Sequence, residues 1–270
     1  MQIKSGARTD VGRARKNNED NYRTDSDLHL YVLSDGMGGE ASGEVASALA
    51  VETVIEQCRK AAEDRDLELV GERKPELSDT TNLLANALRV ANKRIFETAA
   101  SNPEQKGMGA TIVSVWLDDR RLSIAHVGDS RVYLLRAGSF DQLTQDHSLV
   151  ADLVRSGIMT PQQAEVSEQQ SILTRALGTR QNVEVAADEQ LLIEGDTFLL
   201  CSDGLTRMVT DPEIASTLET NPDPQKAADC LVDLANENGG QDNVTVIVVH
   251  LAPEPRGLWA KLRRWLNGDS

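Results

Sequence analysis

Residues 110–135 read ATIVSVWLDDRRLSIAHVGDSRVYLL. Three short runs, 110–117, 121–127 and 131–135, are rich in Val, Ile, Leu, Trp and Tyr. Asp118-Asp119 and Gly128-Asp129 separate them at turn positions, and the spacing predicts an antiparallel meander. Ala137-Gly138-Ser139 marks a further turn. Upstream, apolar residues fall at helical spacing over 40–60 and again from Ser78, a candidate N-cap, through Leu84, Leu88, Ala91 and Ile95. The polar stretch 61–77 reads as a surface loop. Residues 29–34 (HLYVLS) form an apolar run into Asp35-Gly36, and residues 1–9 alternate weakly as a first strand. Downstream, 148–157 carries a short helical pattern and 197–202 (TFLLCS) a buried strand. Asp211-Pro212 reads as an N-cap followed by Pro at the first helical position. A core helix over 224–237 and a last strand over 244–250 complete the order. Helices and strands are grouped rather than strictly alternating. That disfavours a parallel doubly wound sheet and predicts an α+β fold, with antiparallel sheets covered by helices.

The bulk composition narrows the function. The 270-residue chain has a net charge of −15 and a pI near 4.7, which repels a phosphate backbone and argues against nucleic-acid binding. Aromatic residues make up only 3%, so the core must rest on Leu, Val, Ile and Ala. Cys58, Cys201 and Cys230 are far apart, which excludes a thiolate zinc spacing and argues against a disulfide framework. No secretory h-region and no run of about 18 apolar residues occurs, so a cytoplasmic location without a membrane span is expected.

The acids are informative by position. Asp35 and Asp203 each end an apolar run and precede a Gly; Asp242 follows Gly240 just before the last strand. Glu19-Asp20 adds a pair beside Asn17-Asn18. A strand end is a fixed point, and carboxylates converging there repel one another unless a cation joins them. Oxygen donors alone suit Mg²⁺ or Mn²⁺ rather than zinc. Asp-Gly is also a common turn dipeptide, so pattern alone leaves a metal site and plain turns both open.

Eight segments, in order, close that choice by resemblance: 15–20 (RKNNED), 33–39 (LSDGMGG), 107–111 (GMGAT), 126–131 (HVGDSR), 143–147 (LTQDH), 173–178 (LTRALG), 200–205 (LCSDGL) and 240–245 (GQDNVT). The sequence resembles the metal-dependent Ser/Thr protein phosphatases of the protein phosphatase 2C type, in their bacterial branch. The resemblance implies two antiparallel β-sheets packed as a central sandwich flanked by helices, a four-layer αββα arrangement over residues 1–252. It implies two Mn²⁺ or Mg²⁺ ions, with a third, weaker metal. Asp35 would bridge the two metals, with the Gly36 carbonyl on one of them. Asp203 and Asp242 would complete the other. Glu19 and Asp20 would hold metal-bound waters or contact a metal directly. Asp129, with Asp203, would serve the third metal, against the alternative of a turn residue. Arg15 would bind the substrate phosphate, and Asn243 would orient a carboxylate or water. The metals would lower the pKa of a shared water, which attacks phosphorus in line. Residues 149–172 would form a mobile flap beside the site.

One position departs from many eukaryotic relatives, which place His directly after the metal-binding Asp-Gly. Here it is Met37. A metal-bound water, His147 or another group must then protonate the leaving oxygen; His126 and His147 otherwise read as structural. The expected substrates are phosphorylated proteins, including Ser/Thr kinases and their substrates, and a monomer is expected. The class-level rival is an inactive phosphoprotein-binding module. Asp25-Ser26-Asp27 mimics the paired acids of aspartyl-phosphate enzymes but lacks an apolar strand before it. Beyond residue 252, Pro253-Glu254-Pro255 reads as a linker. Leu258, Trp259, Leu262, Trp265 and Leu266 then share one helical face among Arg256, Lys261, Arg263 and Arg264. Packing back on the domain, docking a partner and weak association with an anionic membrane are the three readings of that tail.

Overall fold

The computed structural model describes residues 1–38, 42–64 and 69–253. The C-terminal amphipathic segment lies outside the described residues, as does part of the 61–77 loop. In chain order the elements are β1 (Gln2–Asp10), β2 (Asp20–Asp25), β3 (Leu30–Met37), α1 (Ser42–Glu63), α2 (Asp79–Ser101), β4 (Gly109–Ala110), β5 (Ile112–Asp118), β6 (Arg121–Val127), β7 (Arg131–Arg136) and β8 (Ser139–Gln142). There follow α3 (Leu149–Arg155), α4 (Pro161–Glu165), β9 (Ala186–Leu191), β10 (Thr197–Cys201), α5 (Asp203–Thr206), α6 (Asp211–Thr220), α7 (Pro224–Glu237) and β11 (Val244–Ala252).

Two antiparallel sheets form. One has the order β1-β11-β10-β7-β8, and the other β2-β3-β5-β6-β9 with β4 beside β3. The central strands are apolar on both faces because both faces are covered. Side chains alternate along each strand. Tyr31, Leu33, Val113, Val115, Phe198, Leu200, Ile247 and Val249 point between the sheets. Leu30, Val32, Ile112 and Trp116 point outward onto α1 and α2, with Ala50, Val54, Leu84 and Leu88 among their neighbours. Tyr133, Leu199, Cys201, Val246 and Val248 point outward onto α6 and α7, against Ile214, Leu231 and Val232. Three apolar layers therefore separate four layers of structure, helix–sheet–sheet–helix, as expected.

Local chemistry fixes several ends. Ser78 caps α2 by accepting from the Thr81 N–H. Asp223 caps α7 by accepting from Gln225 and Lys226. The start of α6 corrects the expected cap by one residue. Thr210 is the N-cap, Asp211 is already helical, and the Glu213 carboxylate takes the Thr210 N–H at 2.9 Å.

The expected meander holds at its first turn and at Ala137-Gly138, where β7 pairs with β8, but not between them. β5 and β6 pair directly, Val113 opposite His126, but β7 leaves that sheet and pairs with β10. Gly128-Asp129 is thus a crossing between sheets rather than a hairpin. The Asp25-Ser26-Asp27 mimic is the β2–β3 turn, where Asp25 accepts from the Asp27 and Leu28 N–H groups and pairs with Arg59. No helix among the described residues is long and apolar enough to cross a membrane.

Candidate metal centre

The two sheets bring their acids to one end of the sandwich. In the β2–β3 register Asp20 lies opposite Asp35. From the other sheet come Asp203, at the start of α5, and Asp242, just before β11. Asp129 joins them from the crossing between β6 and β7. The expected strand-end position of Asp203 is instead the first residue of a short helix.

Backbone packing explains the glycines beside the two Asp-Gly acids. At Gly36 a Cβ would collide with the backbone carbonyl of Gly43 at the start of α1. At Gly204 it would collide with the Asn243 carbonyl. Each glycine lets one site segment lie against another.

Asp35 is clamped on both backbone groups by Thr111. The Thr111 N–H donates to the Asp35 carbonyl at 2.8 Å, and the Asp35 N–H donates to Thr111 Oγ1 at 3.1 Å. Ser130 Oγ lies 2.8 Å from the same hydroxyl, which ties the 107–111 and 126–131 segments together. Asp20 crosses between the sheets: its Oδ2 accepts from Ser202 Oγ at 2.8 Å and Thr245 Oγ1 at 2.6 Å. Glu19 presents its carbonyl to the Gly36 N–H and to Ser47 Oγ. Arg131 forks onto Asp146 at 3.0 and 2.7 Å, which steadies the turn carrying Asp129.

Asn243 bonds on both of its sides, and its backbone N–H donates to Asp242 Oδ1 at 2.9 Å. Its side-chain Oδ1 accepts from the Glu19 N–H, and its Nδ2 donates to the carbonyls of Val11 and Asn17. Its side chain therefore holds the backbone of the loop that presents Arg15. The Arg13 and Ala14 N–H groups add bonds to the Gly240 carbonyl. Arg15 itself is exposed and its Nη2 donates to Asp242 Oδ2 at 2.9 Å.

The electrostatics of this end are strained. Burial, then Asp20, Asp203, Asp129 and Asp242 in that order, push the Asp35 carboxyl well above the usual range. Burial pushes Asp20 to about 7, despite its two hydroxyl donors. Burial and Asp203 push Asp129, only 8% exposed, to about 7. Burial also raises Glu19 and Asp203, and Arg207 offsets part of the cost at Asp203. Among the described residues the buried Oδ1 atoms of Asp20 and Asp203 have no hydrogen-bond partner. Unsatisfied buried carboxylate oxygens are costly, and a cation is the partner they lack.

As the side chains stand, no group of three His, Cys, Asp or Glu among the described residues is arranged to hold a metal ion. Two of the acids are held by arginines: Arg15 holds Asp242, and Arg207 Nη2 holds Asp203 Oδ2 at 2.5 Å. The donor set, all oxygen and strongly acidic, fits a hard divalent cation.

Sequence reading missed several groups. Thr111, Ser130, Ser202 and Thr245 lie inside quoted motifs, yet hydroxyls there carry no signal of what they bond. Arg207 has one signal, its i,i+4 spacing from Asp203.

His147 is removed from the candidates for leaving-group acid. Its ring stacks on His126 at 4.8 Å, and its Nδ1 accepts the Gly128 N–H at 3.1 Å. Burial, then His126, Arg175 and Arg155, push it down to about 3, so it is neutral near pH 7. In the unfolded chain it titrates near ~6.5. Between those values the unfolded state binds more protons, so the contribution of His147 to stability falls as pH drops below about 6.5. The melting temperature of His147→Gln is therefore expected to fall less than that of the wild type between neutral pH and pH ~5. Equal falls would show that His147 does not sense acid.

Comparisons with known proteins place the chain in a family. The family profile described as protein phosphatase 2C matches residues 12–238. The serine/threonine phosphatase Stp of Listeria welshimeri is 37% identical over 245 residues, covering 90% of this chain and 93% of that one. The crystal structure of the Mycobacterium tuberculosis serine/threonine phosphatase PstP/Ppp superposes with a TM-score of 0.81 at 36% identity, over 93% of this chain and 99% of that chain. The PstP catalytic domain in complex with two manganese ions gives 0.78 at 36% identity, again over 93% and 99%. With a shared profile over most of its length and relatives above 30% identity across nearly the whole fold, this chain belongs to the protein phosphatase 2C family.

Proposed function

We propose that the protein hydrolyses phosphoserine and phosphothreonine on other proteins with the help of two Mn²⁺ or Mg²⁺ ions, opposing bacterial Ser/Thr kinases in cytoplasmic signal transduction. The observation that carries this reading is the meeting of Asp20, Asp35, Asp129, Asp203 and Asp242 at one end of the sandwich, two with buried oxygens that lack a partner. The relatives support it, being named as serine/threonine phosphatases. Asp35 and the Gly36 carbonyl, with Asp203 and Asp242, would hold the two ions. Glu19 and Asp20 would act through bound water or directly, and Asp129 with Asp203 would hold a third, weaker ion. Bound ions of this kind supply Lewis acidity and an activated water at neutral pH.

The chain's own groups supply position and charge. Thr111 fixes Asp35, and Asn243 fixes the loop bearing Arg15. Arg15 would leave Asp242 to bind two non-bridging phosphate oxygens through its planar fork. No side chain at Met37 can protonate the leaving oxygen, and His147 is neutral and occupied. Residues 149–172, which hold α3 and α4, would form the flap beside the site. Residues 1–252 would suffice for the chemistry, with residues 253–270 dispensable.

The test is p-nitrophenyl phosphate and phosphoserine-peptide hydrolysis after chelation, followed by Mn²⁺, Mg²⁺ or Ca²⁺. Activity should vanish with chelator, return with Mn²⁺ and fail to return in Asp203→Ala. A folded wild type inert under every metal would sink the reading in favour of a phosphoprotein-binding module.

A further inference from the structure

Two arginines reach into the acid cluster, and the proposed chemistry uses only Arg15. Arg207 sits one helical turn beyond Asp203, and its N–H donates to the Asp203 carbonyl at 2.9 Å. Its Nη2 lies 2.5 Å from Asp203 Oδ2 and its Nη1 lies 4.0 Å from Asp242 Oδ2. Among the described residues the guanidinium has no other ion-pair partner. The side chain is 29% exposed, so a route outward is open. Asp203 has no such freedom. Gly204 lies against the Asn243 carbonyl, which pins the start of α5 to the segment after Asp242.

These facts set up a competition. The carboxylates that Arg207 bridges are two of those the proposed function gives to the metals, so the inference rests on that reading. A guanidinium satisfies a carboxylate through charge and directed hydrogen bonds. Arg207 holds Asp203 Oδ2, and the oxygen left for an ion is Oδ1 of the same carboxylate. A divalent ion there brings twice the charge within a few ångströms of the guanidinium and repels it. The arginine, on a long, flexible side chain, is the partner that can move away.

We infer that Arg207 is a built-in counter-ion of Asp203 and Asp242, which a divalent cation must displace on loading. Arg207 therefore does two things at once. It keeps the metal-free acid cluster from forcing the two sheets apart, and it lowers the affinity of the centre for its metals. The protein then reads the free metal concentration at a higher threshold than its carboxylates alone would set.

The test is calorimetric titration of Mn²⁺ into chelator-stripped wild type and Arg207→Gln, alongside thermal melting of both in EDTA. Arg207→Gln should bind Mn²⁺ on the order of tenfold more tightly, the scale on which outer partners of metal ligands act. Its metal-free form should melt below the wild type, so that saturating Mn²⁺ raises its melting temperature by more. A merely structural arginine would lower the melting temperature without raising affinity. Equal or weaker Mn²⁺ binding by Arg207→Gln would overturn the inference while leaving the metal site intact. A wild type that binds no Mn²⁺ would overturn the metal reading itself.

Discussion

Asp35→Asn is expected to abolish turnover and, at the same time, to raise the melting temperature of the metal-free protein. Both effects come from one charge. Asp35 stands where Asp20, Asp203, Asp129 and Asp242 all act on it, and each disfavours its ionised form. An amide of nearly the same shape removes that repulsion while leaving the Thr111 clamp on its backbone untouched. A relief of one kcal/mol raises the melting temperature of a domain this size by about 2–4 °C. Catalysis moves the other way. Outer partners of metal ligands cost roughly 10–100-fold when removed, and a direct ligand, the role proposed for Asp35, should cost more than about 100-fold. Melting in EDTA and Mn²⁺-dependent ester hydrolysis read the two effects separately. Near-normal turnover would take Asp35 out of the centre. A lower melting temperature would mean that contacts of the carboxylate outweigh the repulsion.

Gly36→Ala attacks the same place through packing. A Cβ there would lie 2.8 Å from the Glu19 carbonyl and closer still to that of Gly43. Both obstacles are backbone, so no rotamer change relieves them. Either α1 tilts away from β3 or the end of β3 shifts, and each choice disturbs buried apolar contacts such as Leu30 and Val32 on Ala50 and Val54. The expected cost is about 3 kcal/mol, the upper end for overpacking in a well-packed core. The urea midpoint should fall with an unchanged slope, because the surface exposed on unfolding is the same. Glu19 sits against both glycines, so Mn²⁺ affinity should fall too. A midpoint within error of wild type would show that α1 can yield at no cost.

Much of the fold was legible because burial on both faces writes long apolar runs. TFLLC and VTVIVVH could only be central strands. Two of the edge strands were not legible. DNYRTD in β2 and AADEQL in β9 are largely polar, since each pairs on one side only. The move of β7 into the second sheet was hidden as well. HVGDSR has the chemistry of a hairpin turn, and only the pairing of Leu199 with Tyr133 across the sheet reveals the crossing. The individual acids stood out by their glycines, but their convergence did not, because no local pattern links residue 20 to residue 203. That link came from the order of eight motifs. Arg207 stayed hidden because α5, at four residues, is too short to announce a helical face.

The pairing of β1 with β11, Gln2 opposite Ala252, bears on how the protein is made. A chain emerging from the ribosome presents Asp20 and Asp35 early, on strands that fold against α1 and α2. Asp203, Asp242 and Thr245 arrive near the end of synthesis, and β1 waits for β11 before it has any partner in its sheet. A nascent or interrupted polypeptide would thus carry half of the proposed centre. On the proposed reading, activity would be expected only once the second sheet has closed on the first, which couples the onset of hydrolysis to the completion of synthesis.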